Sequence, residues 1–132
     1  MILALGPGLM ARIEAHAARA RPAEACGLLI GRDGPEGPLV EAIHESANLA
    51  PEATRRFEID PSLQIAVQRE LRGGDKRVIG VYHSHPGGTA RPSPTDAGEA
   101  NDPDLAWLIL GDDGVRAYRW TGKDFVAIGL SR

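Results

Sequence analysis

The sequence predicts one α/β or α+β domain built on a mixed β-sheet. Three observations predict it. The 132 residues are 42% apolar and 25% charged, ordinary for a globular chain long enough to bury a core without disulfide or metal staples. Two segments repeat apolar residues at helical spacing, one ahead of the first strand-like run and one between the second and third. The last third closes as three short apolar runs separated by tight turns, a meander.

Taken in order, Leu9, Met10, Ile13, Ala17 and Ala20 recur at helical spacing, with Arg12, Glu14 and Arg19 on other faces. They predict a helix over 7–20 that Arg21-Pro22 ends. CGLLIG (26–31) is short, apolar and glycine-bounded, hence a buried strand, and LVEAIHE (39–45) pairs back on it across the DGPEGP turn. Residues 47–56 have no period and read as a surface segment. FEID (57–60) is a short extended piece before Pro61, which opens a second helix carrying Leu63, Ile65, Ala66, Val67 and Leu71 and stopped by Gly73-Gly74. RVIGVYHSH (77–85) is a third strand and SPTDAGEAN (93–101) a short helix. LAWLILG (105–111), GVRAYRW (114–120) and DFVAIGL (124–130) are the closing strands.

The bulk numbers narrow the function classes. A net charge of −3 argues against nucleic acid as the main partner, because phosphate binding needs a basic surface. One cysteine, Cys26, excludes an intrachain disulfide and any multi-cysteine zinc cage, and suits a reducing cytoplasm. MILALGPGLM has no basic flank or cleavage site, and no run approaches the roughly 18 apolar residues of a membrane span. The chain reads as cytoplasmic and soluble, with no membrane partner.

Chemistry concentrates in VYHSHPGGTARPSPTDAGEA (81–100). Residues two apart on a strand share a face, so His83 and His85 point the same way and can put two imidazoles on one metal. Asp96 adds a carboxylate, and three protein ligands with one tetrahedral position open mark a catalytic zinc site, not a closed structural one. A plain structural reading stands beside it. Ser93-Pro94-Thr95-Asp96 is a helix start with serine at the N-cap, proline next and an acid at the third position, which explains Asp96 without a metal. The two readings are compatible, since a cap fixes the helix that presents a ligand. Other metal families fit poorly. A metallo-β-lactamase-like hydrolase needs HxHxDH where Pro86, Gly87 and Gly88 stand, a zinc deaminase needs PCxxC, and a cupin needs a glutamate soon after the HxH.

The pattern HxHPx₇SxxD, from His83 through Ser93 to Asp96, closely resembles the signature of the JAMM (MPN+) zinc metalloprotease family in its bacterial stand-alone form. The upstream segment P22-A-E24-A-C26-G-L-L-I-G31 resembles the family's glutamate-bearing stretch, and Asn48 followed by Phe57 its intervening region. The resemblance spans roughly residues 5–130, essentially the whole chain, and implies one domain over 1–132. It implies an MPN/JAMM (cytidine deaminase-like) fold, a mixed curved sheet flanked by helices. It also implies one Zn²⁺ per chain, with His83, His85 and Asp96 as ligands, Glu24 as general base and Ser93 as donor to the oxyanion. The implied activity is hydrolysis of the peptide or isopeptide bond after the C-terminus of a ubiquitin-like or sulfur-carrier protein, whose Gly-Gly tail would add as a strand. Residues 47–56 are the only candidate flap over such a tail.

Cys26 opens an apolar strand and reads as a buried hydrophobe, not a nucleophile. His16 and His44 read as surface or packing residues. Leu71-Arg72-Gly73-Gly74 spells a ubiquitin-like tail but sits where a helix must stop, so it reads as a glycine cap. A non-catalytic MPN-type scaffold is the rival reading, although such domains lose ligands and here each is present. A RadC-like role is a further alternative, opposed by the acidic charge.

Overall fold

The computed structural model describes all residues, 1–132. The elements are β1 (Ile2–Leu5), α1 (Leu9–Ala20), β2 (Cys26–Asp33), β3 (Pro38–Ser46), α2 (Pro61–Leu71), β4 (Arg77–Ser84), α3 (Pro94–Glu99), β5 (Ala106–Gly111), β6 (Gly114–Trp120) and β7 (Phe125–Ser131). The architecture is α+β with a mixed sheet, as expected, and the sheet closes into a barrel in the order β1-β3-β2-β4-β5-β6-β7. Closure depends on β1, a strand the sequence reading does not assign. It pairs parallel with β3 on one side and β7 on the other, removing both edges of the sheet.

Alternation along the central strands sorts side chains into two apolar clusters. Leu29, Tyr82, Leu108 and Leu110 pack with Leu9, Met10 and Ile13 of α1. Leu28, Ile30, Val81, Trp107 and Ile109 face the other way, with Val67 of α2. Central strands buried on both faces carry unbroken apolar runs, which is why CGLLI and AWLIL read so clearly. Helix starts and stops follow their residues. Asp60 caps α2 by accepting from the Ser62 N–H at 2.9 Å, and Pro61 follows it. Past its end Gly73 takes φ +81°, and the Gly74 N–H donates to the Leu71 carbonyl, so LRGG is a helix stop.

A register shift between Ile30 and Gly31 bends β2 against β3. Glycine is required there, because a Cβ at Gly31 would lie 1.8 Å from the Leu39 carbonyl oxygen. Gly31→Ala therefore forces the two strands apart. Its denaturation midpoint should drop by the equivalent of about 3 kcal/mol, the upper end for overpacking; an unshifted midpoint would show that the bulge has slack.

Candidate metal centre

β4 carries His83 into the region between barrel and α2, fully buried and stacked on Phe57 with centroids 4.3 Å apart. Trp107 meets the same ring edge-on at 5.5 Å. His85 lies one residue beyond β4, and its direction is set by a second contact: its Nδ1 faces the Thr89 carbonyl at 2.8 Å. A carbonyl can only accept, so Nδ1 carries a proton, and in the neutral ring Nε2 is the nitrogen left to offer its lone pair inward. The two Nε2 atoms come within 3.0 Å of one another.

Asp96 reaches both rings from α3, with Oδ1 3.1 Å from His83 Nε2 and Oδ2 3.2 Å from His85 Nε2. The helix start that positions it is a complete capping box: Ser93 N–H donates to Asp96 Oδ2 at 2.8 Å, and Asp96 N–H donates to Ser93 Oγ at 3.0 Å. The cap thus forms while the Asp96 carboxylate stays within reach of both rings. Because Ser93 Oγ accepts from the backbone, its own proton is free to donate elsewhere.

Glu24 comes from the turn before β2 and is 5% exposed, with Oε1 buried and lacking a hydrogen-bond partner. Its backbone is held on both sides. Glu24 N–H donates to Ala53 O at 2.7 Å, and Asn48 Nδ2 donates to Glu24 O at 3.0 Å. Next to it, Ala25 N–H donates to Ser84 Oγ at 2.8 Å, tying the turn to the end of β4. Asn48 is the residue whose structural part the sequence did not disclose. Its amide also donates to the carbonyls of Ala53 and Arg56 and its oxygen accepts from Ala50 and Glu58, so one side chain organises the 50–58 segment beside Glu24.

The protonation preferences separate the two carboxylates. Burial alone would raise the pKa of Asp96, but hydrogen bonds from His83 and His85 overcome it and hold the group well below the carboxylate range. Glu24 is pushed up to about 7, first by burial, with His85 opposing and Asp96 reinforcing. Burial lowers the pKa of His83; for His85 burial also lowers, but Asp96 and the Thr89 carbonyl outweigh it and the net direction is upward. The cluster thus holds one standing anion and one carboxyl poised to exchange a proton near neutrality.

The two Nε2 atoms lie 3.0 Å apart and each stands 3.1–3.2 Å from one oxygen of the Asp96 carboxylate, so their lone pairs repel unless a cation, proton or metal, lies among them. A tetrahedral zinc with 2.0–2.1 Å bonds to nitrogen and oxygen requires ligand separations of roughly 3.3 Å. The donor set fits such an ion closely. Glu24 also lies within 4.8 Å of both imidazoles, so two triads share the histidines. Of the two carboxylates, Asp96 is the one that contacts both Nε2 atoms and is the standing anion.

The cluster opens through His85 into a cleft of about 320 Å³ lined by Glu24, Thr54, Arg55, Thr89 and Ser93. A cleft of similar volume behind Phe57 and Trp107 carries Glu58, Glu99 and Asp102 but no histidine, and the cluster does not open into it. Cys26 is buried on β2 with its thiol pushed up to about 12, chiefly by burial, which disfavours the thiolate that nucleophilic attack requires. His16 pairs through Nδ1 with the Tyr82 hydroxyl at 2.7 Å, on the side of β4 that packs against α1. No helix is long and apolar enough to cross a membrane.

The family described as prokaryotic homologs of the JAB domain matches residues 7–121. A desampylase of Haloferax volcanii is 33% identical over 111 residues, 83% of this chain and 78% of that one. A probable TtuB-protein conjugate cleaving protease of Thermus thermophilus is 33% identical over 118 residues, 89% and 76% of the two chains. A CysO-cysteine peptidase of Mycobacterium tuberculosis is 32% identical over 123 residues, 89% and 82%. Among solved structures, a Desulfitobacterium hafniense protein superposes with a TM-score of 0.85 at 30% identity, covering 97% of this chain and 90% of that one. A JAB1/MPN domain protein from Archaeoglobus fulgidus shares the fold, with a TM-score of 0.58 at 20% identity over 98% and 96% of the chains.

Proposed function

Because the chain belongs to the family of prokaryotic homologs of the JAB domain, we propose that it is a zinc-dependent peptidase or isopeptidase. Its substrate is a ubiquitin-like or sulfur-carrier protein, cut at the bond after the C-terminal Gly-Gly. The convergence of His83, His85 and Asp96 beside Glu24 carries this reading, and the conjugate-cleaving relatives support the substrate class. That all four groups meet speaks for an enzyme over a scaffold. Residues 1–132 act as one JAMM-type domain, in the cytoplasm, where a lone buried cysteine stays reduced.

His83, His85 and Asp96 would hold the Zn²⁺, one per chain. When bound, the ion supplies the positive charge that acidifies a water and polarises a carbonyl. The chain's own groups do the rest. Glu24, whose Oε1 is buried and free of other hydrogen bonds, takes a proton from the attacking water at its carboxylate and returns it to the leaving nitrogen. Ser93 Oγ, its proton unused by the capping box, donates to the scissile carbonyl oxygen as charge develops there. Asn48 holds the Glu24 backbone in place, and Thr89 orients His85.

The test is a Gly-Gly-aminocoumarin substrate. The purified protein should contain close to one zinc per chain and release the fluorophore; chelation should abolish release and added zinc restore it. Cys26→Ala should retain activity in the same assay. Activity that survives chelation, or vanishes with Cys26 alone, would sink the reading.

A further inference from the structure

β6 presents Arg116, Tyr118 and Trp120 at alternate positions, hence on one face, and β7 lays Ala127 and Phe125 opposite the last two. With Arg91 and Lys123 they line a groove of about 650 Å³ on the outside of the barrel. Arg91, Pro92 and Ser93 line both this groove and the cleft that holds Glu24 and His85, so the two are continuous. None of Arg91, Arg116 and Lys123 has a carboxylate within 4.0 Å, although the chain's net charge is −3 and other basic side chains do pair. One acid, Asp124, lines the groove against three cations.

From this continuity and charge we propose that the groove seats an acidic segment of the carrier protein, upstream of its Gly-Gly tail. The inference rests on the proposed function and extends it. The shared lining gives a chain threaded through the cleft a continuous path across Arg91, where three cations without an ion-pair partner meet it. The carrier is the constant side of the scissile bond. Relatives are named for cleaving a protein conjugate in one case and a cysteine adduct in another, and a single released residue could not fill such a groove. Nucleic acid fits less well, since Tyr118 and Trp120 are 7% and 9% exposed and cannot offer ring faces for base stacking.

The test uses fluorescein-labelled peptides that end in free Gly-Gly, one with glutamates upstream and one with lysines at the same places. They are products, so they report binding to the metal-loaded protein whether or not it turns over. By anisotropy the glutamate peptide should bind at least about tenfold more tightly at low salt, with the margin shrinking as salt rises. Arg116→Glu with Lys123→Glu should reverse the order, while cleavage of Gly-Gly-aminocoumarin and the thermal midpoint stay at wild-type values. The same peptides capped with aminocoumarin report turnover. Preferential binding without any cleavage would keep the groove and remove the proposed function. Equal binding of the two peptides, no binding of either, or unchanged binding by the double variant would overturn the groove assignment. So would displacement of the glutamate peptide by oligothymidylate at matching concentration.

Discussion

Glu24→Gln should lower turnover of a Gly-Gly-linked amine by at least about 10², the lower bound for losing a positioned acid–base group. Glutamine nearly matches the volume of glutamate, and the backbone bonds to Ala53 and Asn48 do not involve the side chain, so the turn before β2 should keep its course. Glutamine can neither take up a proton from water nor deliver one to the leaving nitrogen. Zinc content should remain near wild type, because His83, His85 and Asp96 are untouched. A second readout follows from the raised pKa. With a folded value near 7 against 4.5 unfolded, Glu24 contributes stability that is fully present below pH 4.5 and lost as pH rises through 7. Removing the ionisable group removes that loss, so metal-free Glu24→Gln should match or exceed metal-free wild type in stability above pH 7. Both are read in one preparation, by fluorophore release and by denaturant midpoint. If the variant cleaves as fast as wild type, Glu24 is a buried turn residue and no more.

The parts of the fold that could be read in the sequence share a physical cause. β2, β4 and β5 lie between two apolar layers, so their unbroken apolar runs survive any local ambiguity. α2 and α3 announce themselves through Asp60-Pro61 and Ser93-Pro94, since caps are local chemistry. β1 gives no such signal. Four residues, ILAL, are held by parallel partners some 35 and 127 positions away, Leu39 for Ala4 and Gly129 for Ile2, and nothing nearby marks them as a strand. α1 begins at Leu9 and not at residue 7 because Gly8 takes a left-handed conformation ahead of it.

The site divides in the same way. Strand periodicity placed His83 and His85 on one face, and they do converge, although His85 has left β4 and owes its direction to Thr89. The Ser93–Asp96 spacing is a local signal and could be read as a cap. Glu24 was legible only through resemblance to a family motif, because Ser84 and Asn48, which bring its turn to the site, are distant in sequence. Asn48 stands in a segment with no period, and only folding shows that its amide ties together backbone from Glu24 to Glu58.

His85→Ala and His83→Ala should both strip the metal, yet differ in what else they cost. Loss of an outer partner of a metal ligand typically weakens binding 10- to 100-fold, so losing a ligand itself should exceed about 100-fold. Zinc content after dialysis against a weak chelator should fall towards zero in each variant. His85 lines an open cleft, and its removal leaves space that solvent can enter, so metal-free stability should stay within about 1 kcal/mol of wild type. His83 is fully buried between Phe57 and Trp107, and alanine leaves a cavity beside a carboxylate that has lost one of its two imidazole partners. A buried large-to-small change of this kind costs about 2 to 4 kcal/mol, measured on metal-free proteins so that metal loss does not contribute. A second pair, Asp96→Ala and Glu24→Gln, decides which carboxylate completes the triad. Asp96→Ala should lose zinc as His85→Ala does, while Glu24→Gln retains it. The reverse pattern, zinc kept without Asp96 and lost with Glu24→Gln, would move the third ligand to Glu24 and leave Asp96 as a helix cap.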